Sequence, residues 1–364
     1  MAVIAPGMEI GILGGGQLGR MLALSAARLG LKAHIYCPES DSPAAQVAHA
    51  VTIAAYDDRA MLDKFADAVA LVTYEFENIP LATVKQLARR VPLWPGIDAL
   101  GVAQDRLREK RFLQAIGIET APFAAIDKAA DLTAAVDVIG VPAVLKTRTL
   151  GYDGKGQFML RDGAQCAQAW RAIGEAPAIL EGFVSFEREI SVIAARAISG
   201  DVVCYDVAEN EHRNHILDIS TVPAAIDADT AEQAQTIATM VATSLNYVGV
   251  LAVEMFVCSG GKLIVNEIAP RVHNSGHWTI DACLVSQFEQ HIRAICGWPL
   301  GSARRHSDAR MRNLIGADAD DWGALVRNRT AALHLYGKGA ARPGRKMGHV
   351  TEIFPTGTLS AGKD

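Results

Sequence analysis

The sequence predicts an α/β first third, built as a wound parallel sheet, followed by an α+β region and a small C-terminal unit. Three observations carry this. Strand-like and helical patterns alternate over the first hundred residues; a glycine-rich turn links the first strand to the first helix; and beyond about residue 103 strand pairs close through short loops instead of helices. The boundaries read as 1–102, 103–300 with a lid subdomain at about 143–208, and 301–364.

In the first unit, residues 8–13 read as a strand, 18–29 as a helix and 32–36 as a second strand. A short strand at 48–54, a helix at 59–66, a buried strand at 70–74, a helix at 81–90 and a last strand starting at 92–94 continue the pattern. Each helix supplies the crossover that parallel neighbours need. In the second unit, 105–116 is a charged amphipathic helix, and 143–147 with 156–160 form an antiparallel pair around a glycine-rich loop. A helix at 164–173, a strand at 178–183 and a hairpin of 189–199 with 202–207 follow. A long helix at 229–245 precedes a hairpin of 249–257 with 262–268, and a helix at 286–296 succeeds it. The last unit holds a strand at 331–336 and a basic loop.

Gly260-Gly261 suits a tight hairpin turn, and a turn fixes register. If Ser259 faces Lys262, then Phe256 pairs with Val265 and Glu254 with Glu267. Directly opposed residues place their Cβ atoms roughly 4.5–5.5 Å apart. The flanking residues are apolar, so two carboxylates would be buried that close, and they must share a proton or a cation. Oxygen-only ligands favour magnesium over zinc. An edge hairpin with one glutamate in solvent is the ordinary alternative. The polar run Pro270-Arg271-Val272-His273-Asn274-Ser275-Gly276-His277, just past the strand, makes a poor core and a good site.

Bulk properties exclude several classes. A chain of 364 residues with 50% hydrophobic and 21% charged residues reads as a soluble globular protein. A net charge of −5 gives no reason to expect nucleic-acid binding. Six cysteines are scattered without C-x-x-C or zinc spacing, as in a reducing compartment. Neither a signal peptide nor a bilayer-length apolar stretch is present, so a cytoplasmic location is expected.

Two glycine-rich loops invite phosphate. Gly14-Gly15-Gly16-Gln17-Leu18-Gly19 satisfies G-x-G-x-x-G between a strand and a helix, where free N–H groups hold an anion. Phosphate binding fits better than a dinucleotide, because the acid ending the second strand, Glu39, is only approximately placed. Gly151-Tyr152-Asp153-Gly154-Lys155-Gly156-Gln157 lies shortly after Lys146 and is no Walker loop; it reads as a flap over a triphosphate or as a solvated surface hairpin. Glu75 ends a buried strand, placed to accept hydrogen bonds from a sugar. Tyr336-Gly337-Lys338 and the basic run 342–349 suit a small anionic ligand, with arginine forks on phosphate or carboxylate.

Taken together these segments resemble the ATP-grasp superfamily and, within it, the 5-(carboxyamino)imidazole ribonucleotide synthases of purine biosynthesis. The likeness runs over nearly the whole chain and rests on 11–21, 151–157, 266–277 and 338–349. It implies carboxylation of aminoimidazole ribonucleotide by bicarbonate at the expense of ATP, through carboxyphosphate, in a homodimer with Mg2+. By the same resemblance Arg106 and Lys146 would contact the ATP phosphates, and 151–157 would be the lid. Glu181, Gly182, Phe183 and Val184 would read adenine through the backbone, Glu189 would hold the ribose and His212 would add a nucleotide contact. Glu254 and Glu267 would chelate magnesium beside Asn266, whose side chain faces the other way in a regular pleat. Tyr152, Asp153, Arg271, His273, Asn274, Ser275, Lys338 and Arg345 would surround the imidazole nucleotide, with Gly16, Gln17, Leu18 and Glu75 near its phosphate and ribose. Tyr152, Asp153, Lys155, Arg271, His273 and Lys338 are the catalytic candidates, with Asp153 and His273 the candidate bases. Lys155 stands where many relatives have arginine, replacing a fork with a point charge. Another ATP-grasp carboxylate–amine ligase, using a different acid, is the alternative within the fold, and an NAD-dependent oxidoreductase the one from another class; the second glycine loop, opposed glutamates and basic tail would have no role in the latter.

Overall fold

The structure is a computed structural model that describes residues 3–151 and 156–359. The first sheet is four-stranded and parallel, in the order β3-β2-β1-β4, from β1 (Glu9–Leu13), β2 (Lys32–Cys37), β3 (Ala50–Ile53) and β4 (Val72–Tyr74). Ile10, Ile12, Leu13, Ile35 and Tyr36 are fully buried, as expected for parallel strands covered on both faces. The helix Gln17–Arg28 lies on one face, and the helices Arg59–Ala68 and Leu81–Leu87 lie toward the other. Asp58 caps the second of these helices by accepting the Met61 N–H.

A small antiparallel sheet follows, ordered β5-β8-β6-β7: β5 (Phe123–Ile126), β6 (Ala143–Thr147), β7 (Gln157–Leu160) and β8 (Ala178–Gly182). The helices Ala129–Ile139 and Cys166–Ala172 cover it. The third sheet is nine-stranded. Its path joins β9 (Arg188–Arg196), with β10 (Val202–Cys204) on β9, to β11 (Ala208–Arg213), β12 (Ile216–Val222), β13 (Gly249–Val257), β14 (Leu263–Ala269), β15 (Asp308–Ile315), β16 (Ala331–Leu335) and β17 (Lys346–Phe354), in the order β14-β13-β9-β11-β12-β15-β17-β16. The C-terminal strands therefore extend the central sheet through the β12–β15 pairing. One apolar cluster unites Ile10 and Ile12 of the first sheet with Val250, Ala252 and Met311 of the third and with Ile292 and Ile295 of the helix Gln287–Ile295.

The structure corrects several expectations. The helix begun at Leu81 ends at Leu87. The segment around 346–354, read as the end of a basic loop, is a long strand, and β11, β12 and β15 were not recognised. β11 (AENEHR) is polar at most positions, so it lacks the alternation that announces a strand.

The hairpin turn is also longer than predicted. The Cys258 N–H reaches the Lys262 carbonyl at 2.8 Å, and Gly260 and Gly261 both adopt φ near +77° (76° and 78°), a conformation costly for other residues. Phe256 consequently pairs with Ile264, not Val265. One step further the register shifts, so that Asn266 is the extra residue of a bulge and Glu254 still opposes Glu267.

Candidate active site

The three sheets enclose a cleft of about 850 Å³. Glu254 and Glu267 line it from adjacent strands, and the bulge brings Asn266 to the same wall. Burial and then the facing Glu267 push the Glu254 carboxyl up to about 8, with Glu189 adding to the effect. Burial would raise Glu267 too, but Arg106, whose Nη1 lies 3.0 Å from Oε2, holds it below the ordinary carboxylate range. One acid is thus supplied with a cation and its neighbour is not. A divalent ion bound by oxygen fits this donor set, because it would neutralise both carboxylates at once.

Arg106 opens the helix Arg106–Ala115, whose N-cap Asp105 accepts the Leu107 N–H at 2.9 Å and is itself held by Arg148 at 2.7 Å. That cap aims Arg106 into the cleft, where it also donates to the Gly151 carbonyl at 3.2 Å. Lys146, on β6, lies 3.1 Å from Glu181. Burial lowers the Lys146 pKa more than Glu181 restores it. For Glu181 burial works the other way, yet Lys146 and Lys110 (3.3 Å) hold its carboxyl down at about 2. The Glu181 side chain is therefore a counter-ion to lysines. The Gly182 and Phe183 N–H groups already serve the Pro122 and Pro142 carbonyls at 2.8 and 3.0 Å. Phe183 lines the cleft, and Val184 follows it beyond the strand. On the opposite wall the Glu189 carboxylate meets His212 at 3.0 Å; burial opposes the imidazolium, but this partner raises the His212 pKa overall.

Arg271 makes a two-bond fork with Glu77, Nη2 to Oε1 at 3.0 Å and Nε to Oε2. Burial disfavours the Glu77 anion, but that fork holds it at about 2. Burial and then Arg271 press the His273 pKa down to about 3, so the ring is neutral, with Nε2 lying 3.3 Å from Glu254. Asn274 is 9% exposed, lines the cleft and, among the described residues, has no partner for either amide atom. A buried amide left unpaired at a cavity wall is a group awaiting a ligand.

The first glycine loop departs from expectation. The anion at its helix N-terminus is the protein's own Glu75, which accepts the Gly19 N–H at 2.7 Å and the Gly16 N–H. A Cβ at Gly14 would fall 2.3 Å from the Glu75 side chain, so the glycines make room for this carboxylate. Gly16, Gln17 and Leu18 still line the cleft beside it.

Other sequence-predicted residues fall elsewhere. Ser275 is fully buried and bonds Ser191 and His273, so it does not line the cleft. Lys338 and Arg345 are likewise not among the cleft-lining residues; Lys346 is. Lys338 donates to the Lys346 carbonyl at 2.6 Å, and burial and then Arg345 lower it to about 8. Gly156 and Gln157 are described, with Gln157 on the cleft wall, whereas Tyr152, Asp153, Gly154 and Lys155 lie outside the described residues. Sequence reasoning missed Glu77, Lys110 and Glu109, the last pushed to about 8 by burial and donated to by the Ile268 N–H at 2.6 Å, and it had Lys346 only as a member of the basic run. The available signal was Glu109-Lys110, a charged pair turned toward the core side of its helix.

This architecture and site define an ATP-grasp enzyme. The chain matches the ATP-grasp domain over 111–288, a ribonucleotide synthetase preATP-grasp domain over 7–104 and a phosphoribosylaminoimidazole carboxylase C-terminal domain over 309–358. It is 54% identical to N5-carboxyaminoimidazole ribonucleotide synthase of Brucella melitensis, over 97% of this chain and 98% of that protein. It superposes on the crystal structure of an ADP complex of N5-carboxyaminoimidazole ribonucleotide synthetase with a TM-score of 0.95, at 43% identity, covering 98% of this chain and 95% of that one. On the Aspergillus clavatus N5-carboxyaminoimidazole synthase in complex with ADP and 5-aminoimidazole ribonucleotide the TM-score is 0.91, at 30% identity, covering 97% and 95%. The chain belongs to the N5-carboxyaminoimidazole ribonucleotide synthase family.

Proposed function

We propose that this cleft joins bicarbonate to the amine of 5-aminoimidazole ribonucleotide, forming 5-(carboxyamino)imidazole ribonucleotide with ATP as the driving reagent. The chain is an ATP-dependent ligase forming a carbon–nitrogen bond. The observation that supports this most is the Glu254–Glu267 pair, short of positive charge by one carboxylate, set among Arg106, Lys146 and Arg271.

In the first step a bicarbonate oxygen attacks the γ-phosphorus, ADP leaves and carboxyphosphate forms. In the second the exocyclic amine attacks the carboxyl carbon, its nitrogen loses a proton and inorganic phosphate departs. Phosphoryl transfer leaves side chains little covalent work, so positioning and charge neutralisation dominate. Glu254 and Glu267, with Asn266 beside them, would hold Mg2+, which supplies neutralisation of the phosphate oxygens. Arg106 and Lys146 grip the triphosphate. Glu189 faces the nucleotide ribose with His212 beside it, and the Val184 amide with neighbouring carbonyls serves adenine. Arg271, fixed by Glu77, and Asn274 orient the imidazole nucleotide, with Lys346, Lys338 and Arg345 supplying positive charge near its phosphate. The 151–157 loop closes over the intermediate, which water would otherwise destroy. Tyr152, Asp153 and Lys155 act from that loop.

The enzyme takes small molecules as partners, and among the described residues no helix is long and apolar enough to cross a membrane. The same reading places it in the cytoplasm, supported by six unpaired cysteines, and makes it a homodimer that does not bind nucleic acid. Sedimentation analysis tests the dimer. The function is tested by ADP release with bicarbonate, measured with and without aminoimidazole ribonucleotide. Stimulated release and an acid-labile carbamate are expected; absence of both removes the proposal.

A further inference from the structure

His273 sits between the acidic pair and a line of buried hydroxyl and amide groups that the reaction scheme leaves unused. Its Nδ1 receives the Ser275 backbone N–H at 3.3 Å. A backbone N–H can only donate, so Nδ1 is an acceptor, and the single proton of the neutral ring sits on Nε2. Every bond behind it runs in the same direction. Ser275 Oγ, 2.9 Å from the same Nδ1, must be the donor to it. Ser275 Oγ therefore accepts from Ser191 Oγ at 2.7 Å, and Ser191 Oγ accepts from the Asn210 amide nitrogen at 2.9 Å. The Asn210 carbonyl then faces outward along the line and accepts the Ser220 hydroxyl at 2.8 Å.

Ser191, Ser220 and Ser275 are fully buried and Asn210 nearly so, which makes an unpaired member costly. The strand register explains the line. Ser191 is paired with Glu254 across β9 and β13, Asn210 with Ser220 across β11 and β12, and Ser191 with Ala208, diagonal to Asn210, across β9 and β11. A polar stripe thus crosses the floor of the central sheet and ends at the acidic pair.

We propose that Ser220, Asn210, Ser191 and Ser275 form a one-way hydrogen-bond chain that locks His273 as the Nε2–H tautomer, turning its only proton toward Glu254. His273 then serves as a hydrogen donor that orients the Glu254 carboxylate. Its Nδ1 is closed by Ser275, and its Nε2 is already protonated, so the proton released by the substrate amine goes to another group. Asn210, Ser191 and Ser275 are positioning residues in this scheme. The inference deepens the assignment of the carboxylation reaction to this cleft and rests on it only for the effect on turnover.

The test uses the full chain labelled with 15N-histidine. Two-bond 1H–15N correlation spectra report the tautomer, and His273 is identified by the signal lost in His273→Gln. The expected result is protonated Nε2 and bare Nδ1. Asn210→Asp, equal in shape, removes the amide donor; its carboxylate accepts from Ser191 and turns that hydroxyl away from Ser275. Ser275 Oγ can then donate to Ser191 and accept from Nδ1, opposed only by the long Ser275 N–H contact of 3.3 Å; the Nδ1–H form should become populated, and kcat should fall about 10–100-fold, the usual range for residues that support a site ligand, while KM for ATP stays unchanged. If Asn210→Asp does not fold, Ser220→Ala gives the same readouts with a smaller change. A bare Nε2 in the parent protein overturns the proposal, as does a variant that folds and keeps both parent tautomer and parent kcat. The spectra need no turnover, so loss of the carboxylation assignment would leave the tautomer result standing and would be seen separately in the ADP-release assay.

Discussion

Glu75, which is buried, and Glu254, which is partly buried, are carboxyls on the walls of one cleft, and removal from water raises the pKa of both; there the likeness ends. Glu75 caps a helix N-terminus, and the Gly16 and Gly19 N–H groups oppose the effect of burial. Glu254 faces Glu267, which adds to the effect of burial. The first acid has its partners built into the backbone and is complete as it stands. The second has been left for something that arrives with the substrate. A buried charge is therefore informative through its surroundings more than through its burial.

The largest expected break between the two sites is in turnover. Glu254→Gln should lower kcat about 10²–10³-fold, the scale for losing one preorganised electrostatic element. Its melting temperature without a divalent ion should stay level below about pH 8, where Glu254 holds its proton, and rise above it, where a facing repulsion disappears; a folded variant with parent-like kcat would erase the distinction. Next comes pH. Glu254 has a folded-state pKa of about 8, above its unfolded value, so without a divalent ion its contribution to stability falls as pH rises from about 4.5 to about 8. Mg2+ needs the carboxylate, so its apparent affinity with ADP should weaken about tenfold per unit below about pH 8. Isothermal titration across about pH 6–9 measures this, and a pH-independent affinity would show that Glu254 is not a ligand.

A smaller effect belongs to the completed site. Glu75→Gln offers one acceptor where two N–H bonds are made, so a buried donor is orphaned at a cost of about 1–3 kcal/mol in denaturant unfolding. No loss of stability would mean that Glu75 is no strut. The smallest effect is expected at Arg345, which is not among the cleft-lining residues. Arg345→Ala should raise KM for the imidazole nucleotide by only a few-fold, about 1 kcal/mol or less, and Lys346→Ala by more. The reverse order would move the phosphate position toward the loop.

Parts of this contrast were legible in the sequence and parts were not. The pairing of Glu254 with Glu267 follows from the hairpin, but two deviations cancel: the turn is longer than its glycine pair suggests, and a bulge at Asn266 restores the register. Bulges leave no local signal that a count of alternating residues can detect. The first glycine loop announced an anion, yet only the third dimension shows that the anion is Glu75. Ser275 was read as a substrate contact because it sits in a polar run; its side chain turns inward to Ser191. Glu109 and Lys110 look like the solvated face of a charged helix, and their burial depends on sheets far away in sequence. The polar strand β11 was missed because its inward positions include Asn210, bonded to buried serines, and His212, which lines the cleft, instead of an apolar stripe.

The buried ammonium of Lys110 has a mechanical consequence. It reaches Glu181 on β8 at 3.3 Å and, on β14, the Asn266 carbonyl at 2.6 Å. Close by, the Val265 N–H is bonded to the Glu119 carbonyl at 2.9 Å. One buried ammonium thus ties the small sheet to the large one beneath the cleft. A change at this one side chain is therefore felt in both sheets, at Glu181 on β8 and at the bulge that sets Glu267 on β14.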